Sequence, residues 1–149
     1  MAKIAAKGKT LVAIHLRRGD FGYGQFWIAP ETWYLEWLAK HWPQLDQPVL
    51  YIASDDPAIH RQFATYSPMT AADLDPPQAG AEFYDDFHVL TQADHVAISN
   101  SSFSFVAGML NRRAKNFLRP DLAAQQLVAY DPWNADVLLP NPQAATQDN

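Results

Sequence analysis

The sequence of 149 residues predicts an α/β fold, a mostly parallel sheet with helices on both faces. Three observations carry this expectation. Short apolar runs recur at Leu11–Ile14, Val49–Ala53 and His95–Ser99, and such runs bounded by turn residues read as strands buried on both faces. Each run passes through a short polar loop into a stretch with helical spacing, the pattern of strand–loop–helix units in a parallel sheet. The polar residues Arg17/Arg18, Asp55/Asp56 and Ser101/Ser102 all follow strand ends, and in open α/β sheets that edge binds ligands.

The first strand delivers His15, Arg17, Arg18 and Asp20 into a loop. Alternation puts His15 and Arg17 on one side and Leu16 on the other. Two adjacent guanidiniums at a strand end call for an anion, because the rigid donor fork of Arg suits phosphate or carboxylate. A surface ion pair with Asp20 is the plainer alternative. Gly19 permits close backbone approach, and Asp20 is placed to hold one Arg in its rotamer. Gly8-Lys9-Thr10 precedes the strand and lacks the earlier Gly of a phosphate loop, and Gly22/Gly24 lack the third Gly of a dinucleotide fingerprint. Arg18-Gly19-Asp20 as an adhesion tripeptide is a very weak signal. The aromatic stretch 21–29 reads as a structured loop, a cover for a sugar or nucleotide or a plug at the domain edge.

Pro30 and Glu31 open a helix that runs to about Trp42, with Trp33, Tyr34, Trp37 and Leu38 at helical spacing. Pro43 and Pro48 bracket the turn into the second strand. Asp55 and Asp56 then precede Pro57, which starts a helix with Ile59, Phe63 and Tyr66 inward. Asp56 either caps that helix, binds a ligand hydroxyl or orients an Arg. Residues 67–82 read as a loop, with Met69–Leu74 a candidate short strand.

Tyr84–Ala93 is predicted helical with Phe87, Val89 and Leu90 inward. After the third strand come Asn100, Ser101 and Ser102, then Phe103, Val106, Ala107 and Leu110 at helical spacing. One Ser suffices for an N-cap, and the surplus points to an anion at the helix start, where N–H groups and the dipole favour negative charge. Asn100-Ser101-Ser102 also matches a glycosylation acceptor, given little weight because no secretory signal is seen. Arg112, Arg113 and Lys115 are expected to complement the dipole at the other end, and Phe117–Leu118 to form another strand. Residues 1–140 make one domain and 141–149 a polar tail.

Composition narrows the function. The chain has no Cys, which excludes disulfides, thiolate metal sites and a Cys nucleophile. A formal charge of −5 argues against a nucleic-acid partner. No run approaches the roughly 18 apolar residues of a membrane span, and Met1–Thr10 lacks the apolar core of a signal peptide, so a cytoplasmic location is expected. His41, His60, His88 and His95 lack metal-ligand spacing, and exposed or capping roles are expected for them.

At this point the chain resembles a known group. His15-Leu16-Arg17-Arg18-Gly19-Asp20 is similar to the His-x-Arg-Arg-Gly-Asp motif of the α1,2- and α1,6-fucosyltransferase superfamily. Tyr51–Pro57 resembles its second motif, Asp86–Asp94 the helix before its third, and Ile98–Ser104 the Ser-Asn-Ser-Ser/Thr-Phe-Ser signature of α1,2 members. The resemblance implies the C-terminal, donor-binding, Rossmann-like half of a GT-B glycosyltransferase. It implies GDP-fucose as donor substrate, a glycan acceptor, inverting transfer, and no metal or other cofactor. By the same resemblance Arg17 and Arg18 are catalytic, gripping the diphosphate. His15 and Asp86 position guanosine, Ser101 and Ser102 contact phosphate, and Asp20, Asp55, Asp56 and Asn100 complete the donor site.

Two departures stand out. Gln25 occupies the place where α1,6 members carry a Glu base, and Phe103–Ala107 replaces the paired-Trp sequence of α1,2 members. The N-terminal acceptor half is absent, so the chain reads as truncated and inactive by itself. A non-catalytic nucleotide or phosphate module is the alternative, and a remnant with Arg17–Asp20 and Arg18–Asp55 ion pairs a third reading.

Overall fold

Strand β1 (Thr10–Leu16) lies inside the sheet with every residue from Leu11 to Leu16 buried. The computed structural model describes residues 2–17, 28–56, 58–74 and 84–139. The stretches 18–27, 75–83 and 140–149 lie outside, and with them the expectations for Arg18, Gly19, Asp20, most of the aromatic loop and the polar tail. After a short helix α1 (Ala2–Ala5) and β1, the chain forms α2 (Glu31–His41), β2 (Pro48–Ser54), α3 (Tyr84–Gln92), β3 (His95–Ala97), α4 (Ser102–Leu110), β4 (Asn116–Asp121) and β5 (Gln126–Ala129). The sheet order is β2-β1-β3-β4-β5. The first four strands pair in parallel and β5 closes an antiparallel hairpin with β4. This is the expected mostly parallel, Rossmann-like arrangement. The hairpin is an addition, because Gln126–Ala129 is too short to signal a strand.

Alternation in the strands splits the core in two. Leu11, Ala13, Val49, Tyr51 and Ala53 face α3 and α4, packing with Val89, Leu90, Phe105 and Ala107. Val12, Ile14, Leu16, Leu50 and Ile52 face α2, packing with Tyr34, Leu38 and Phe63. Helix α2, between β1 and β2, therefore lies on one face and α3 and α4 on the other, while the Ile59–Tyr66 turn between β2 and α3 packs on the α2 face. Gly8 is required where the chain enters β1, since a Cβ there would stand 2.2 Å from the Gln47 carbonyl oxygen.

Several local expectations change. Pro30 sits at the N-cap of α2, with Glu31 the first helical residue. The segment after Asp56 is a 3-10 helix, Ile59–Tyr66, interrupted at Phe63, although Ile59 and Phe63 do face inward. Met69 makes a single parallel bridge to Tyr51, and Ala71–Asp73 is a 3-10 turn capped by Thr70 rather than a strand. The buried face of α4 is Ser104, Phe105, Ala107 and Gly108, whereas Val106 and Leu110 are exposed. Phe105 has the larger ring to bury, and it turns the helix away from the face expected. Arg112, Arg113 and Lys115 lie beyond the last turn of α4, which holds no basic residue. His95 is buried, not exposed, and its Nδ1 meets Asn116 Nδ2 at 2.9 Å; burial holds its pKa below the usual imidazole value.

Buried polar groups fix the layers. The Asn111 amide donates to the Leu90 and Ala93 carbonyls, and its Oδ1 accepts from the Arg113 and Ala114 N–H groups, tying α4 to α3. From α2, Tyr34 Oη donates to the Ile98 carbonyl at 2.8 Å, directly after β3. Tyr34→Phe leaves that buried carbonyl short of a donor and is expected to cost about 1–2 kcal/mol. Urea unfolding measures it, and a stability equal to wild type would show that the bond adds nothing.

Candidate functional site

The connection after β1 leads to α2 on one face and the one after β3 to α4 on the other, which makes the carboxyl edge between these strands a topological switch point, where open α/β sheets form their ligand crevice. Arg17 emerges there from β1, and its Nε lies 3.7 Å from Asp55 Oδ2 at the end of β2. The pair is partly open to solvent, with side-chain exposures of 36% and 25%. Arg17 is therefore held by Asp55 and still faces outward.

His15 lies one step back along the same face. It is 5% exposed, its Nδ1 is 2.8 Å from Ser99 Oγ, and its ring packs against Phe103 at 5.2 Å between centroids. These contacts join the end of β1 to the start of α4. Ser101 is the N-cap of α4, with extended backbone and no side-chain cap bond. The first intrahelical bond runs from Phe105 N–H to the Ser101 carbonyl. The N–H groups of Ser102, Phe103 and Ser104 precede it and carry the positive end of the dipole. Ser101 is buried and Ser102 exposed. Asn100 Nδ2 donates to the Leu139 carbonyl and Oδ1 accepts from Leu139 N–H, so this amide is engaged by the chain itself.

On the β2 side, Ser54 Oγ donates to the Leu16 carbonyl and accepts from Asp56 N–H, stitching the two strand ends together. Asp56 Oδ1 accepts from Ala58 N–H, the capping role weighed for it. Beyond lies a cleft of about 410 Å³ lined by Ser54, Asp56, His60, Thr70, Asp73 and Asp86, among others. Asp86 in the first turn of α3 accepts from Tyr51 Oη at 2.7 Å. Burial pushes the Asp86 carboxyl up to about 6, with Asp85 adding to the rise and the Tyr51 bond opposing it. The phenol of Tyr51 is raised by its own burial and by Asp86.

The structure thus places His15, Arg17 and Asp55 at the ends of β1 and β2 and Ser101 and Ser102 at the start of α4, on one edge of the sheet, and sets Asp56 and Asp86 in the cleft on the β2 side. Arg18 and Asp20 lie outside the described residues, as does Gln25. Sequence reasoning missed Tyr51, Ser54 and Ser99 as supports. Tyr51 was detectable as the one polar tip on the α3-facing side of β2, and Ser99 as a hydroxyl directly past a strand. Among the described residues no group of three or more His, Asp or Glu is placed to hold a metal ion, and no helix is long and apolar enough to cross a membrane.

No family model and no curated protein matches the sequence. Solved structures do. One is NodZ α-1,6-fucosyltransferase soaked with GDP-fucose, at a TM-score of 0.57 and 14% identity, covering 87% of this chain and 47% of that one. Another is selenomethionine fucosyltransferase NodZ from Bradyrhizobium, at 0.53 and 14% with the same coverage. At such identity the likeness is one of fold. The expectation of a fucosyltransferase-like fold holds, in a form consistent with a Rossmann-like half of a GT-B fold. The chain spans about half the length of the structures it matches.

Asp86 also makes a pH prediction. Its folded pKa of about 6 lies above the ordinary 3.8. Between those values the folded chain keeps a proton that the unfolded chain releases, so its contribution to stability falls as pH rises through this window. Asp86→Asn stays neutral and should gain on wild type by on the order of 1–3 kcal/mol between pH 4 and 7. Urea midpoints across that range measure the gain, and a difference independent of pH would rule out the raised carboxyl.

Proposed function

We propose that this chain is the donor-binding half of a GT-B glycosyltransferase that holds GDP-fucose for inverting transfer to a glycan hydroxyl. The observation that carries the reading is Arg17, braced by Asp55, opening on the crevice that His15 and Ser99 join to the start of α4. Its support from outside is a fold shared with α-1,6-fucosyltransferase structures.

In this reading the diphosphate sits between Arg17, Arg18 and the N–H groups at the start of α4, with Ser101 and Ser102 alongside. Breaking the sugar–phosphate bond leaves negative charge on the departing GDP. Donors fixed in advance around that charge stabilise the transition state more than the ground state. Two guanidiniums and a helix start supply positive charge of the kind a divalent metal would provide, so the reading is metal-independent. His15, at the end of β1, and Asp86, in the cleft on the β2 side, position guanosine. Asp20 braces the Arg pair, and Asp56 adds a polar contact near the end of β2. Acceptor binding and the base that deprotonates the acceptor hydroxyl are assigned to a second domain outside these 149 residues. A cytoplasmic location goes with this reading.

A second reading is a module that binds the nucleotide and transfers nothing. Calorimetry with GDP, ADP and UDP tests what the two readings share. GDP is expected to bind in preference to the others, and Arg17→Ala and Arg18→Ala are each expected to weaken it about tenfold or more, the worth of one charged hydrogen bond. No binding at millimolar GDP would leave only a structural remnant. Transfer assays with an acceptor domain supplied separate the readings. Arg18→Ala should then lower kcat/KM on the order of 10²–10³-fold, and absence of transfer by the intact chain favours the module.

A further inference from the structure

The segment after β5 runs the length of α4, from its carboxyl end to its amino end. Trp133 Nε1 donates to the Met109 carbonyl near the end of the helix. Arg119 Nη1 and Nη2 then donate to the carbonyls of Asp136 and Val137, at 2.7 and 3.2 Å. Finally Leu139 exchanges two hydrogen bonds with Asn100, directly before the N-cap of α4, at 3.0 and 2.8 Å. Gly108 admits the chain near Tyr130, since a Cβ there would stand 2.9 Å from the Tyr130 hydroxyl.

The two clamps are buried, Arg119 at 4% exposure and Asn100 at 2%. Arg119 is a strand residue whose guanidinium lies over the rings of Phe105 and Tyr130, 5.5 and 5.2 Å from their centroids. A desolvated guanidinium is costly unless its donors are used, and the strap carbonyls use two of them. At the other clamp, the amide of Asn100 gives one donor and its acceptor to Leu139. Asn100 stands between Ser99, which holds His15, and Ser101, the N-cap. The loop that aims the first N–H groups of α4 is thereby tied to the docked strap.

We propose that Trp133–Leu139 is a strap that belongs to the anion site, with Asn100 a positioning residue that couples strap docking to the geometry of Ser99–Ser102. Coupling of this kind is reciprocal: an anion at the start of α4 favours the docked strap, and a docked strap favours the anion. The GDP arm of the test rests on the donor reading above. The exchange arm does not.

Leu139→Pro removes the N–H that Asn100 Oδ1 accepts and leaves every residue of the crevice unchanged. The Leu139 side chain packs against the α2-side core, so Leu139→Ala, which keeps the N–H, controls for lost packing and is expected to leave exchange at the start of α4 as in wild type. Hydrogen exchange of the full chain without ligand should show the amides of Ser101 and Phe105, bonded to the Ser99 and Ser101 carbonyls, exchanging about tenfold faster in Leu139→Pro, with those of β1 and β2 unchanged. Calorimetry should show GDP bound about tenfold more weakly by Leu139→Pro and by Asn100→Ala alike. Unchanged exchange at Ser101 and Phe105 would overturn the coupling. So would weaker GDP binding in Asn100→Ala with wild-type binding in Leu139→Pro, which would make Asn100 a direct ligand contact. If wild-type chain binds no GDP, the donor reading fails and the exchange result alone decides the strap.

Discussion

The constraint on which the structure depends is the pairing of β1 in parallel with both β2 and β3. A strand paired on both edges and buried on both faces has no solvent route for its side chains except at its ends. His15 is the last buried polar residue before the exit and Arg17 the first partly open one. Because the crossover after β1 and the one after β3 pass to opposite faces, the edge between them is a topological switch point. A crevice is left by topology, before any side chain is chosen, and the chain places a guanidinium on one wall and a helix start on the other.

What surrounds the crevice is built to keep those groups in place. Asp55 holds Arg17, Ser99 holds His15, Ser54 joins the ends of β1 and β2, and Tyr51 holds Asp86. Each pair draws its members from different elements, so the site is fixed by the sheet and not by one loop. Preorganisation of this kind is what electrostatic stabilisation of a leaving group needs, since donors already aimed cost no rearrangement during reaction. The strap extends the same logic to the far side of α4, where Arg119 and Asn100 secure the helix from outside the sheet.

Much of this was legible in the sequence, for physical reasons that can be named. Leu11–Ile14 and Val49–Ala53 are continuous apolar runs, and only a strand covered on both faces wants such a run. The edge-forming loops were legible because Arg17 and Asp55 follow their strands directly and Ser101 comes a few residues after β3. The orientation of α4 was not, since Val106 and Phe105 are both apolar and spacing alone cannot say which one the core admits. The β4–β5 hairpin and the strap were hidden for another reason. Their hold on the fold comes from Arg119 and Asn100, polar residues whose partners are backbone carbonyls and an N–H group nearly 20 or 40 positions away. No local pattern records such a bond. Asn100 was visible as part of a polar cluster, but the cluster read as a ligand contact because the sequence gives no sign of Leu139 opposite it.

The central claim is that Arg17 and the start of α4 face one anion across the switch point. Amide-resolved NMR of the ¹⁵N-labelled chain during a titration with GDP tests it most directly. The account predicts that the resonances of Arg17 and of Ser102, Phe103 and Ser104 move together along one saturation curve, with Asp86 following as the nucleoside seats. Shifts confined to the α2 and β5 side, or movement of the α4 amides while Arg17 stays fixed, would contradict it.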